Sequence, residues 1–166
     1  ERGVKAARAA AMLFKALKLS FGILGAGEAS DGDDVRSMGE KGLFELLARE
    51  NIERFQSLGV QKIVTLSPHS YHAFKNEYPA LGGDFQVFHY TQVLAPIVRG
   101  LSFKDPATPV KVVFHDPCYL GRHNGEYQAP RTILRSLPGV QVVEMDRSRK
   151  NALCCGGGGG NFFTDL

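Results

Sequence analysis

The chain has 166 residues, 43% hydrophobic and 22% charged, with a formal net charge of +3. That suffices for one substantial core or two small lobes. Lysines and arginines are scattered among acids, which favours a solvated surface over a nucleic-acid patch. No apolar run is long enough for a membrane span, and no secretory signal is present. Three cysteines make no even disulfide framework, so a reducing cytoplasm is the expected compartment. The chain lacks an initiator Met and opens in mid-helix, which reads as an excerpt of a longer protein.

Residues 1–19 carry apolar positions at helical spacing in an Ala-rich context. Phe21–Leu24 reads as a short strand ending in Gly25-Ala26-Gly27. Those glycines alone are weak evidence for a dinucleotide loop. The acids of Asp31–Asp34 are placed to cap a following helix. Gly39–Leu58 is the strongest predicted helix, with Leu43, Leu46, Leu47, Ile52 and Phe55 as its apolar stripe and Gly59 as its stop. A strand over Gln61–Leu66 precedes Ser67-Pro68-His69-Ser70 and a helix from Tyr71 to Tyr78. Phe85–His89 is the next strand, and Gln92–Arg99 a helix containing Pro96.

Lys104–Pro109 is a proline-containing linker and the best boundary between two units, 1–103 and 110–166. Val110–Phe114 is apolar and β-branched, hence a strand, and Cys118 follows it. Pro130–Leu137 is a short helix and Val140–Glu144 a strand leading to Cys154-Cys155. The alternation predicts an α/β fold, mostly parallel sheets flanked by helices. In such a fold the loops after the strands gather at one sheet edge.

Cys154 and Cys155 are adjacent and precede five glycines, Gly156 to Gly160. Vicinal cysteines rarely bridge each other, because a disulfide needs a separation and torsion that a trans peptide does not easily give. A metal centre suits them better, and the glycines let the backbone approach it closely. Thirty-five residues separate Cys118 from Cys154. Zinc, a metal-free redox pair and ordinary buried thiols are the competing readings. His69 and His72 are expected to bond locally or face water. His115 and Asp116 are expected to tighten the Cys118 loop, and Arg122 and His123 to place positive charge near it. Serine hydrolysis has no Ser–His–acid arrangement to support it.

His115-Asp116-Pro117-Cys118-Tyr119-Leu120-Gly121-Arg122 and Leu153-Cys154-Cys155-Gly156 resemble the CCG-domain iron–sulfur proteins, which include the cysteine-rich subunit of heterodisulfide reductase. Members of that family carry the motif twice and close each copy with Cys-x-x-Cys. That closing pair of the second copy would fall beyond Leu166. An altered first copy resembles Glu28-Ala29-Ser30-Asp31-Gly32-Asp33 and Ser67-Pro68-His69-Ser70 before Asn76-Glu77-Tyr78-Pro79, with serine at Ser30, Ser67 and Ser70 where the family has cysteine. Aligning Ser30 with Cys154 gives a repeat offset of 124 residues.

The resemblance implies a duplicated unit, both copies truncated, and a [4Fe–4S] cluster, noncubane in the heterodisulfide reductase member. It assigns Cys118, Cys154 and Cys155 as iron ligands. Gly156 and Gly157 would give close backbone approach and N–H groups to the cluster. It further implies electron transfer between a flavoprotein or ferredoxin-like donor and a disulfide or quinone acceptor, with any membrane association made through partners. The serines imply an empty first site. A hydroxyl resists ionisation by roughly seven more pKa units than a thiol, on the order of 10 kcal/mol. Without the closing Cys-x-x-Cys of the second copy, the isolated chain is expected to hold its cluster poorly and to be inactive. A cluster-free or zinc-binding interaction module is the alternative.

Overall fold

The computed structural model describes residues 2–103 and 108–158. Helix α1 spans Arg2–Ala16 and is exposed along most of its length, with Phe14 buried near its end. Phe14 meets Phe21 edge-on at 5.5 Å. Helix α2 is Asp33–Ser37 and α3 is Lys41–Ser57. Strand β1 (Lys62–Thr65) leads to α4 (Pro68–His72), which continues through a π-helical turn, Ala73–Glu77, and a 3-10 turn, Tyr78–Leu81. Strand β2 is Gln86–His89 and α5 is Tyr90–Val98. Strand β3 is Val110–Val113, α6 is Gln128–Ser136 and β4 is Val140–Val143.

The predicted α/β character and parallel pairing are both present. Strand β1 pairs with β2, Lys62 opposite Gln86, and β3 pairs with β4, Val110 opposite Val140. Each pair is its own two-stranded sheet. This corrects the expectation that all the strand-end loops share one sheet edge, because each half closes its pairing locally. The predicted strand at Phe21–Leu24 is also absent. A strand needs a backbone ladder, and no described strand flanks this segment. Leu24 instead packs into the core, and the Arg54 guanidinium donates to the Gly27 carbonyl, pinning the 3-10 turn Gly25–Gly27.

Helix α3 organises the core. Phe44, Ala48, Ile52 and Phe55 recur at helical spacing and are buried against Ala73 and Tyr78. Each large side chain so buried contributes roughly 1.5–3 kcal/mol. The buried face is rotated from the predicted stripe. Leu43 and Leu46 stand exposed, because the aromatic pair Phe44–Tyr78 claims the core side. Gly59 does end the helix. At φ 68° it permits the Schellman pair, with Val60 N donating to Phe55 O and Gly59 N to Gln56 O. The 104–109 linker lies partly outside the described residues. No helix among the described residues is long and apolar enough to cross a membrane.

Candidate metal centre

Cys118 sits five residues past β3, in a stretch of tight turns. Gly121 N donates to Pro117 O and His123 N to Cys118 O. Gly121 is required there, since a Cβ would come within 2.4 Å of the Tyr127 ring. Cys118 is half-buried, while Cys154 and Cys155 are exposed, and all three are free thiols. Gly156 N lies 3.4 Å from Cys154 Sγ and Gly157 N 3.5 Å from Cys155 Sγ. Both amides are donors placed against sulfur. Gly156 adopts φ 77°, the conformation for which glycine is suited. Gly159 and Gly160 lie outside the described residues.

The two cysteine loops are tied together by Arg131, a residue that sequence reasoning did not single out. It lies on α6 and is fully buried. Its Nη1 and Nη2 grip both oxygens of Asp116 at 2.6 and 2.8 Å. Its Nε and Nη2 reach both oxygens of Glu144, just past β4, at 2.7 Å each. Arg149 N completes the set by donating to Asp116 Oδ2 at 2.6 Å. Burial pushes the Asp116 carboxyl up, but the Arg131 fork and the Arg149 amide outweigh it and hold it below its ordinary value. Arg131 hydrogen bonds also hold Glu144 low. Asp116 therefore serves Arg131 and Arg149. Arg122 donates to Ala152 O at 2.7 Å, so it braces the Cys154 segment. The only sequence signal for Arg131 was a cation on the inward side of a short helix.

In the altered first copy, Ser67 and Ser70 meet in the first turn of α4, and Asp31, next to Ser30, bonds Ser70. Ser67 caps α4, its Oγ accepting from Ser70 N at 3.2 Å, with Pro68 in the first turn. Ser70 Oγ donates to Asp31, and Ser30 Oγ accepts from Gly32 N at 3.1 Å. Tyr78 OH donates to Asp31 O at 3.1 Å, and burial pushes that phenol up to about 12. Asp31 links the Ser30 loop to α4 and the 3-10 turn beyond it, through its carboxylate to Ser70 and its carbonyl to Tyr78. Ser30 follows the Gly25–Gly27 turn, not a strand.

A histidine–tyrosine cluster joins the halves. Tyr119 packs against His69, His72 and His123 at centroid distances of 4.5, 4.8 and 4.9 Å. Asn76 and Asn124 amides donate to His72 Nδ1 at 3.0 and 3.2 Å, while Nε2 faces Glu77 at 3.3 Å. Asn124 Nδ2 also donates to Tyr119 O at 2.6 Å.

Soft thiolate donors and glycine amides aimed at sulfur fit an iron–sulfur centre in chemistry. The count is incomplete: no group of three or more His, Cys, Asp or Glu is gathered to hold a metal among the described residues.

Comparison with known proteins bears on this chemistry. The Cysteine-rich domain (CCG) family matches at residues 6–75 and 112–165. The chain is 47% identical over 161 residues to the probable iron–sulfur-binding oxidoreductase FadF of Bacillus subtilis, covering 96% of this chain and 23% of that protein. It is 43% identical to the EtfAB:quinone oxidoreductase of Syntrophomonas wolfei, covering 89% and 21%. It is 36% identical to one subunit of the dihydromethanophenazine:CoB–CoM heterodisulfide reductase of Methanosarcina barkeri, covering 87% and 37%. The chain thus spans well under half the length of these relatives. No solved structure matches it.

Proposed function

The chain belongs to the cysteine-rich domain (CCG) family, and on that premise we propose that it is an iron–sulfur electron-transfer segment of a heterodisulfide-reductase-like oxidoreductase. Cys118, Cys154 and Cys155 are its thiolate donors, with Gly156 and Gly157 supplying close backbone. A [4Fe–4S] cluster, noncubane as in the heterodisulfide reductase member of that family, would supply reversible one-electron storage when bound. The protein's part is to hold the two thiolate loops in register, through Arg131 and Arg122, and to offer amides to sulfur. The single observation that carries this reading is that brace: a buried guanidinium links the stem of the Cys118 loop to the stem of the Cys154–Cys155 loop.

Residues 1–103 are the first motif unit, with Ser30, Ser67 and Ser70 replacing ligands, and 110–166 begin the second. The serines are occupied in hydrogen bonds to protein, which supports an empty first site. The electron donor is a flavoprotein or ferredoxin-like module, and the quinone and heterodisulfide in the relatives' names support a quinone or disulfide acceptor. Free thiols suit the cytoplasm, with any membrane contact made through partners. The test is iron, sulfide and zinc quantification on chain prepared and reconstituted anaerobically. Iron with sulfide is expected, loosely held, and reduced by Cys155→Ser. Stoichiometric zinc without an iron chromophore would replace this reading with a structural-metal module.

A further inference from the structure

His69 belongs to the first motif copy, yet its ring faces the second. It stands in the first turn of α4, held by the Ser67 cap and Pro68. Its ring lies 4.5 Å from that of Tyr119, the residue after Cys118. On its other side is Gly158, three residues past Cys155, where a Cβ would come within 3.2 Å of His69 Nε2. The imidazole thus lies against both cysteine-bearing segments, its ring against Tyr119 and its Nε2 against Gly158. That nitrogen is buried and has no hydrogen-bond partner among the described residues. Leaving a buried polar atom unpaired costs about 1–3 kcal/mol. Such an atom on a rigid turn calls for a partner that the described residues do not supply. Gly158 suits the same account, because any side chain there would crowd the nitrogen.

We propose that His69 donates its Nε2–H to a thiolate or sulfide of the metal centre held by Cys118, Cys154 and Cys155. The first copy, without ligand cysteines of its own, thereby contributes a polar contact to the centre of the second. This role rests on the metal reading proposed above. In this proposal the three thiolates are the ligands and the imidazole is a hydrogen-bond donor to them. Hydrogen bonds to sulfur orient ligands and tune a centre's affinity and potential.

The test uses the whole chain, labelled with 15N-histidine and titrated with cadmium(II), a diamagnetic thiophilic ion whose thiolate band reads out binding. The His69 Nε2 resonance is expected to shift in step with that band. His69→Ala should weaken cadmium binding by about tenfold. His69→Gln keeps an N–H donor and should recover most of the loss. Glu50→Gln, on the exposed face of α3, should leave the affinity unchanged. A full thiolate band with a stationary His69 resonance overturns the proposal, as does a His69→Gln variant as weak as His69→Ala. Absence of a thiolate band in the native chain, or a band that survives Cys118→Ser, overturns the shared centre itself and this role with it.

Discussion

At Arg131 one guanidinium meets two carboxylates and the Tyr127 carbonyl, all while fully buried. Its own pKa is raised, first by the hydrogen bonds to Asp116 and Glu144, so it stays charged throughout the accessible pH range. Removing it strands Asp116, which is 3% exposed, without its counter-ion. Arg131→Met should therefore cost about 3–5 kcal/mol, the range for breaking a buried pair, and is measured by urea unfolding. Cadmium-binding stoichiometry should fall as well, because the two cysteine loops lose their common anchor. Unchanged stability would mean that the brace is incidental.

The histidines make a second prediction at this scale. Burial is the largest cause holding His72 below its ordinary pKa, reinforced by His123 and Arg36 and opposed by Glu77. Burial also lowers His89, opposed by its contact with the Leu66 carbonyl. The unfolded chain then binds protons that the folded chain refuses. Their contribution to stability is full above about pH 6.5 and is lost as pH falls from there through the folded values. The urea midpoint should drop between about pH 7 and 5. A His89→Gln, His72→Gln double variant should flatten that limb, and a limb left intact would exclude both groups.

Among the elements, the loop from Pro117 to Glu126 depends on one small residue. The Tyr127 ring occupies the space that any side chain at Gly121 would need. Gly121→Ala must push that ring aside, and overpacking of this kind costs about 1–3 kcal/mol. Thermal unfolding checks this. The element following it would also shift, since Glu126 caps α6 through Gln128 N and Ala129 N. Gly125→Ala makes a contrast. It has open space around it, but its φ of 71° strains a side chain for a different reason.

Across the whole molecule, the halves meet through side-chain amides as well as packed helices. Helix α5 packs on α6, Gln92 donates to Glu126 at 2.9 Å, and Asn76 donates to Asn124 at 2.9 Å. Asn124 therefore links the helical segment that continues α4 in one half to the Cys118 loop of the other. Asn124→Ala should raise amide exchange in residues 118–124 and in that segment together. A rise confined to the loop would show that the halves are not coupled there. Helix α1, exposed along its length, should exchange far faster than α3 in the same experiment.

Local chemistry was legible in the sequence wherever neighbours along the chain decide the outcome. The period of α3, its Gly59 stop, the apolar runs of β1 to β4 and the helix near Pro130 all belong to this class, whereas α4 begins at Pro68, three residues before the expected Tyr71. So does the family, because the spacing of Cys118, Cys154 and Cys155 survives any rearrangement of the chain around it. The face that α3 buries depended on Tyr78, thirty-four residues beyond Phe44, and only the folded chain brings those rings together. The Phe21–Leu24 segment has strand composition but no partner ladder, and composition cannot supply one. Arg131 and His69 gain their meaning from residues 13 to 89 positions away, Glu144 and Gly158 among them. A buried charge or an unpaired nitrogen is defined by what surrounds it in space, so tertiary structure alone decided which of the chain's polar residues stand at the candidate centre.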